Sequence, residues 1–225
     1  MGGIPEVGSR KGAEGEGKAQ SKSTGQIVTT SLRGRERSAN NPVGFCSEAA
    51  CGSRDGPNGR GNLNTSIMDF LEVIEKRHSV RKYSDRPVEK DVLDAIVKVA
   101  QTAPSSRNSK SSAFMIIEDR DILDALSQMR DYGSALLKGA QSAILVMGEE
   151  AKTDLWVDNC AISATFIQLA ATAMDLVSCW VHVNGRPCLK DQPEGAKATD
   201  YVRDLLGIKE GLCPYCVIAI GYPAE

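Results

Sequence analysis

The chain has 225 residues, of which 41% are hydrophobic, 25% charged and 5% aromatic, and its formal net charge is −2. This length accommodates one domain or at most two. The near-neutral charge argues against a nucleic-acid-binding protein, which usually carries a strongly basic face. No stretch reaches the ~20 uncharged apolar residues that a membrane-spanning helix needs.

Residues 1–67 differ in composition from the rest of the chain. They hold 13 of the 21 glycines and carry 9 Lys+Arg against 6 Asp+Glu, and their one short apolar stretch is Ile27-Val28, followed by Leu32. Such a segment buries too little apolar surface to offset the entropy of ordering, so we expect a low-complexity, disordered extension. It lacks the apolar core of a secretory signal. We expect the natural protein to begin near Met68 and to be cytoplasmic.

Residues 68–225 predict a globular domain in which helices and strands intermix. Helical patterns cover 69–76, about 87–100, 121–129, 153–176 and 198–206, and Gly207 closes the last of these. Apolar runs predict strands at 113–118, 142–148, 177–183 and 216–221. The helix at 153–176 is apolar on nearly every face, which is typical of a central helix or one packed against another subunit. The class is α+β or α/β, and the connections are too uneven for regular βαβ units.

A basic cluster, Lys76-Arg77-His78-Ser79-Val80-Arg81, follows the first predicted helix. Arginine donates hydrogen bonds in a planar fork and serine adds a short, adjustable donor, so the cluster suits an anionic ligand with several acceptor atoms. Cations at a helix C-terminus also complement the helix dipole, and that simpler interpretation stays open on these residues alone.

A polar loop, Pro104-Ser-Ser-Arg-Asn108, follows the second predicted helix. By itself it is an ordinary turn, since serine and asparagine supply turn chemistry. The two motifs occur in this order, followed by Phe114-Met-Ile-Ile-Glu118, Leu176-Val-Ser-Cys-Trp-Val181 and the closing Ile220-Gly-Tyr-Pro223. This series resembles the nitroreductase family of FMN-dependent NAD(P)H oxidoreductases, and the resemblance covers residues 68–225.

The resemblance implies an α+β fold with a central mixed sheet flanked by helices. Two such subunits would intertwine as a homodimer, with one FMN in each of two clefts at their interface. Three segments would bind the cofactor. The ribityl phosphate and the pyrimidine edge would be held by Arg77, His78, Ser79 and Arg81. The other subunit would contribute Pro104, Ser105, Ser106 and Asn108. The isoalloxazine ring would lie along Cys179, Trp180, Val181 and His182.

The flavin would carry the chemistry, so no catalytic side chain is predicted. NAD(P)H and a small-molecule acceptor, such as a nitroaromatic compound or a quinone, would react in turn by a ping-pong cycle. The alternative is a non-catalytic flavin-binding protein that serves storage or sensing. Two departures from the family pattern keep it open. Lys110-Ser-Ser112 stands where Gln-Pro-Trp is common, and the sequence ends at Glu225 without a basic tail.

The cysteines offer a third interpretation, a thiol-redox or metal protein. The motif Cys213-Pro-Tyr-Cys216 resembles a glutaredoxin-type redox site, but that chemistry needs a helix after the first cysteine and an apolar strand follows here. Cys179 and His182 are three residues apart on a predicted strand, so they point to opposite faces and are poor joint ligands even with Cys188 nearby. We therefore predict free, reduced thiols and no metal site.

Overall fold

The structure is a computed structural model that describes residues 27–28 and 69–224. The predicted disorder of 1–67 therefore falls almost entirely outside the described residues. Ile27–Val28 form a short strand, β1, paired antiparallel with β2 opposite Met115 and Phe114. The one apolar dipeptide noted in the extension thus lies at an edge of the sheet.

A five-stranded sheet forms the centre of the domain. The other strands are β2 (Ser112–Ile117), β3 (Ser142–Glu149), β4 (Val177–His182) and β5 (Leu212–Gly221). The order is β1-β2-β3-β5-β4, and all neighbouring strands pair antiparallel. In the described part of the chain, a bridge between Ser79 and Ser178 adds a single parallel pairing to this sheet.

Helices cover both faces of the sheet, which confirms the expected α+β architecture. One face carries α2 (Lys90–Gln101) and α4 (Trp156–Ala173), and the other carries α3 (Arg120–Ser127) and α5 (Ala198–Leu206). Side chains alternate along a strand, so Ile144 of β3 packs against the first layer and Leu145 against the second. None of the described helices is both long and apolar enough to cross a membrane.

Helix α1 (Phe70–Lys76) leaves most of its apolar face uncovered. Only Val73 is buried, whereas Phe70 and Leu71 are 65% and 67% exposed and Ile74 is 45% exposed. The adjacent α4 is largely buried, as its composition predicts. The apolar residues of α1 therefore form a surface that no described part of the same chain covers.

Strand β5 begins earlier than its sequence pattern predicts. It starts at Leu212, so Cys213, Pro214 and Tyr215 lie within the strand, and the register shifts between Val146 and Met147 on β3. Proline lacks the N–H that a ladder needs and is normally found at strand edges or bulges, which is why the pattern pointed to a later start. The bulge accommodates it here.

Candidate functional site

The backbone of the basic cluster is fixed by its neighbours. Arg77 caps α1 with its N–H on the Val73 carbonyl, and the Val80 N–H donates to the Ser178 carbonyl at 3.0 Å. Residues 77–81, which we call the basic segment, therefore leave α1 as an extended chain beside β4. The side chains of Arg77 and Arg81 have no hydrogen bond or ion pair within the described residues, so both guanidinium groups can meet a ligand.

The closing Gly-Tyr-Pro motif anchors this extended segment. The Tyr83 hydroxyl donates to the Val80 carbonyl at 2.9 Å, and the Tyr83 backbone pairs with Pro223. A Cβ on Gly221 would lie 2.9 Å from the Tyr83 ring, so the ring needs a glycine there. Burial raises the pKa of Tyr83, which keeps its hydroxyl a donor.

A second contact ties Tyr222 to the segment before α2. Its hydroxyl donates to Glu89 Oε2 at 2.7 Å, and Arg86 stacks over its ring at 3.8 Å. Arg86 also pairs with Glu89 Oε1 at 2.8 Å. The hydrogen bonds from Tyr222 and Arg86 lower the pKa of Glu89 to about 2. The closing Gly-Tyr-Pro motif thus contacts the chain at Tyr83, just after the basic segment, and at Glu89, just before α2.

An open cleft of about 440 Å³ lies along β4, and we name it the β4 cleft. It is lined by Arg81, Cys179, Trp180, Val181, His182, Arg130, Gly133, Ala135 and Leu136. Its volume is within the ~300–1,000 Å³ of typical ligand sites. Arg81 of the basic cluster thus lines the same cleft as Cys179–His182, the β4 residues predicted to contact the flavin ring.

Aromatic rings form one side of this cleft. Trp180 stacks on His182 with centroids 6.3 Å apart, and its indole N–H donates to His182 Nδ1 at 3.3 Å. Tyr215 meets both rings edge-on. Burial lowers the pKa of His182, and the positive charges of Arg186 and Arg130 lower it further. The imidazole is therefore neutral at neutral pH.

Arg130 is a cleft residue that sequence reasoning missed. Its Nη1 donates to the His182 carbonyl at 2.7 Å, and its guanidinium stacks over the Tyr132 ring at 4.1 Å. Its Nε is buried without a hydrogen-bond partner among the described residues. Arg130 follows a short helix and lies 52 residues from His182 in sequence. A lone cation after a helix carries no signal of such a contact.

His78 lies apart from the β4 cleft. It lines a second, smaller cleft of about 290 Å³ together with Lys76, Thr172, Asp175, Leu176, Val177 and Pro223. Its Nδ1 is 2.8 Å from the Lys76 carbonyl. The basic cluster is therefore divided between two clefts on either side of the extended segment.

The polar loop after α2, residues 104–111, which we call the serine-rich loop, is held by Asn159 near the start of α4. The Asn159 side chain accepts from the Ser106 N–H at 2.8 Å and donates to Ser109 Oγ at 3.2 Å and Ser111 Oγ at 2.9 Å. Arg107, Asn108 and Lys110 have positive φ angles of 50°, 55° and 48°. Asn159 was not predicted, although a buried amide in so apolar a helix was a usable signal.

The loop and the basic segment lie at opposite ends of α4. Ser106 bonds to Asn159 in the first turns of the helix, whereas Ser79 pairs with Ser178 just beyond its end. The helix rises about 20 Å between Asn159 and Thr172, at ~1.5 Å per residue. Pro104, Ser106 and Asn108 line neither described cleft, and Ser105 lines only a narrow crevice beside α2.

Cys213 and Cys216 show no feature of an activated thiol. Cys213 and Cys216 are both free, burial raises the pKa of Cys216 well above its ordinary value, and partial burial together with Glu150 raises that of Cys213. A thiol with a raised pKa is a poor nucleophile. In the part of the chain that the structure describes, no three His, Cys, Asp or Glu side chains are grouped to hold a metal ion.

The structure is thus an α+β domain with a cleft lined by two arginines beside the edge strand β4. A family model described as "Nitroreductase family" matches residues 74–130 and 125–222, and the chain belongs to this family. Membership confirms the resemblance drawn from the sequence motifs.

Relatives and solved structures agree with this assignment. The chain is 35% identical over 163 residues to "Putative NADH dehydrogenase/NAD(P)H nitroreductase" of Methanothermobacter thermautotrophicus, covering 71% of this chain and 80% of that one. A protein of the same name from Archaeoglobus fulgidus is 33% identical, with 71% and 88% covered. The structure is similar to an FMN-dependent nitroreductase from Clostridium difficile, with a TM-score of 0.65, 36% identity, and 69% and 88% of the two chains covered.

Proposed function

We propose that this protein is an FMN-dependent oxidoreductase that transfers electrons from NAD(P)H to nitroaromatic, quinone or related small-molecule acceptors in the cytoplasm. The observation that carries the proposal is the β4 cleft, where Arg81 lies beside Cys179, Trp180, Val181 and His182. The relatives named as NAD(P)H nitroreductases and the FMN-dependent structural neighbour support it.

The donor set of the site fits FMN. Arg81 of the basic cluster lines the cleft, and no carboxylate does so among the described residues. Arg77, Ser79 and Arg81 would bind the phosphate and the pyrimidine edge, while His78 would reach the cofactor from the neighbouring cleft. Bound FMN would supply two-electron redox chemistry. The Arg81 guanidinium would offer a positive charge that favours the reduced, more negative form of the cofactor.

The aromatic residues of β4 would shield the site from water. Trp180 and His182 line the cleft and pack against each other and against the buried Tyr215, so they form an ordered aromatic side that limits access of water. His182 is neutral and adds no charge to this side. Since the cleft is open on its outer side, NAD(P)H and the acceptor can enter in turn, and we propose a ping-pong cycle with no catalytic side chain.

A second copy of the chain would complete the site. Within one chain the serine-rich loop lies at the far end of α4 from the basic segment, and a homodimer would supply Pro104, Ser105, Ser106 and Asn108 from the partner. The exposed apolar face of α1, formed by Phe70, Leu71 and Ile74, supports this association. We propose an intertwined homodimer with FMN at the interface.

Anaerobic stopped-flow spectroscopy tests the proposal. The protein is first titrated with FMN, then mixed with NADH or NADPH, and finally with a panel of nitroaromatic compounds and quinones. We expect a yellow dimer whose flavin absorbance bleaches with reduced nucleotide and returns with an acceptor. Binding without reduction would favour the storage or sensing alternative, and absence of FMN binding would refute both.

A further inference from the structure

The β4 cleft concentrates positive charge in an acidic domain. Residues 68–225 contain 18 Lys+Arg against 23 Asp+Glu, yet the cleft is lined by two arginines and, among the described residues, by no aspartate or glutamate. Arg81 belongs to the family motif assigned to FMN. Arg130 belongs to no predicted motif, and its charge has no ligand in the function proposed above.

Arg130 is held in place by neutral groups. Its Nη1 donates to a backbone carbonyl, that of His182, and the Tyr132 ring stacks on its guanidinium. Among the described residues it forms no ion pair with a carboxylate, and its buried Nε has no hydrogen-bond partner. An uncompensated, partly buried cation is costly to a fold. Its charge is thus fixed at the cleft and is available to an anionic group of a ligand.

A second arginine, Arg186, follows His182 by four residues in the chain and is exposed. Arg186 follows β4, and its backbone is fixed by bonds from its N–H to the Val183 carbonyl and from the Ala198 N–H to its own carbonyl. Its exposed side chain has no partner among the described residues. The charges of Arg186 and Arg130 both lower the pKa of His182. Arg130 thus contacts the His182 backbone directly, and Arg186 adds a second positive charge just after the end of β4.

We propose that Arg130 and Arg186 form a carboxylate-binding subsite at the His182 end of the β4 cleft, so that the preferred electron acceptor is an aromatic compound bearing a carboxylate. The proposal rests on the function proposed above. Guanidinium groups bind carboxylates through paired, charge-assisted hydrogen bonds. The adjoining rings of Trp180 and His182 offer an aromatic surface against which the ring of such a compound can pack.

Two acceptors that differ in charge test the subsite, 4-nitrobenzoate and the neutral 4-nitrobenzamide. Calorimetry measures their affinity for the FMN-loaded protein and for the flavin-free protein, and steady-state kinetics measures kcat/KM. We expect the wild type to prefer the benzoate in each assay. In Arg130→Met, affinity and kcat/KM for the benzoate should fall about tenfold or more, while the values for the benzamide change less than about twofold.

Two further variants separate binding from structure. Arg186→Met removes an exposed side chain with no described partner, so it should lower benzoate affinity about threefold without altering thermal stability. Lys138→Met removes the same charge from the helical turn Ala135–Gly139, which borders the cleft. Lys138 itself is not among the residues that line the cleft. This variant should change the affinity for neither acceptor. Equal losses for both acceptors in Arg130→Met would show a purely structural role and overturn the subsite.

The same variants distinguish other sources of a negative charge. If Arg130→Met lowers affinity for FMN but not for riboflavin, Arg130 binds the flavin phosphate and the proposal is wrong. If it lowers the reaction with NADPH but not with NADH, the anion is a nucleotide phosphate, and the proposal is again wrong. A wild type that binds no FMN would refute the proposed function. In that case 4-nitrobenzoate binding to the flavin-free protein and its loss in Arg130→Met would still report on the subsite.

Discussion

The basic segment at 77–81 and the serine-rich loop at 104–111 are held in opposite ways. The basic segment is fixed through its backbone, because Val80 bonds to Ser178 while Arg81 stays unpaired. The loop is fixed by a side chain of another element, because Asn159 of α4 accepts from the Ser106 N–H and donates to Ser109 and Ser111. The first region can therefore offer charged side chains to a ligand, and the second offers a preorganised shape.

This difference also explains the backbone conformation of the loop. Three of its non-glycine residues have positive φ, a conformation that costs roughly 1–3 kcal/mol per residue. Such a conformation persists only where surrounding contacts enforce it, and Asn159 supplies three hydrogen bonds to this one loop. We therefore expect the loss of one side chain to lower the stability of the fold at the loop and to weaken ligand binding at the basic segment.

Replacing Asn159 should have the largest effect on folding. Asn159→Leu removes bonds to the Ser106 N–H and to two serine hydroxyls and leaves these groups unpaired. We expect the free energy of unfolding to fall by about 3 kcal/mol, measured by urea denaturation. Ser163→Ala is the control, since Ser163 is buried on the same helix but bonds only to Ser112 among the described residues. It should cost about 1 kcal/mol, and equal losses in the two variants would contradict the role assigned to Asn159.

Replacing the arginines should leave folding intact and weaken FMN binding. Arg77→Ala and Arg81→Ala each remove a charged donor that has no described partner in the chain. We expect each to weaken FMN binding by about 1.5–3 kcal/mol without altering the urea midpoint. Flavin fluorescence titration measures the affinity, and Lys82→Ala, a change at an adjacent exposed cation, is the control. Wild-type affinity in both arginine variants would show that the FMN site lies elsewhere.

Altering the anchor of the basic segment should have an intermediate effect. In Gly221→Ala the new Cβ would lie 2.9 Å from the Tyr83 ring, whose hydroxyl holds the Val80 carbonyl. We expect a loss of about 1–3 kcal/mol in the free energy of unfolding, because the ring must shift. Gly139→Ala, where no atom lies within 4 Å of the added carbon, should change stability by less than about 0.5 kcal/mol. A neutral Gly221→Ala would show that Tyr83 moves freely.

Local signals in the sequence predicted most of the fold. Helix α5 has the expected bounds, Ala198–Leu206, because Gly207 ends it with a positive φ of 59°. The predicted start of β5 was wrong, because Pro214 fits in the strand only through a bulge in its pairing with β3. Local patterns thus predict the bounds of an element when its own residues terminate it. They fail when a neighbouring strand determines where the element begins.

The site could be predicted only where a motif marks it. Arg81 and the stretch from Cys179 to His182 came from the family pattern and share one cleft. Arg130 and Asn159 act through contacts that span 52 and 53 residues respectively. No spacing rule within a helix or strand reaches so far. Residues of this kind become visible only once the chain is folded.

The smallest effect concerns Glu89, whose contact with Tyr222 supports the C-terminal anchor of the basic segment. Its pKa is lowered from an ordinary 4.5 to about 2, so its bonds stabilise the fold above pH 4.5 and are lost as the pH falls toward 2. The group is exposed, and solvent screening keeps the effect small. We expect the difference in urea midpoint between wild type and Glu89→Gln to be greatest at pH 6 and to shrink at pH 3. A constant difference would show that the charge of the Glu89 carboxylate does not contribute to the stability of the fold.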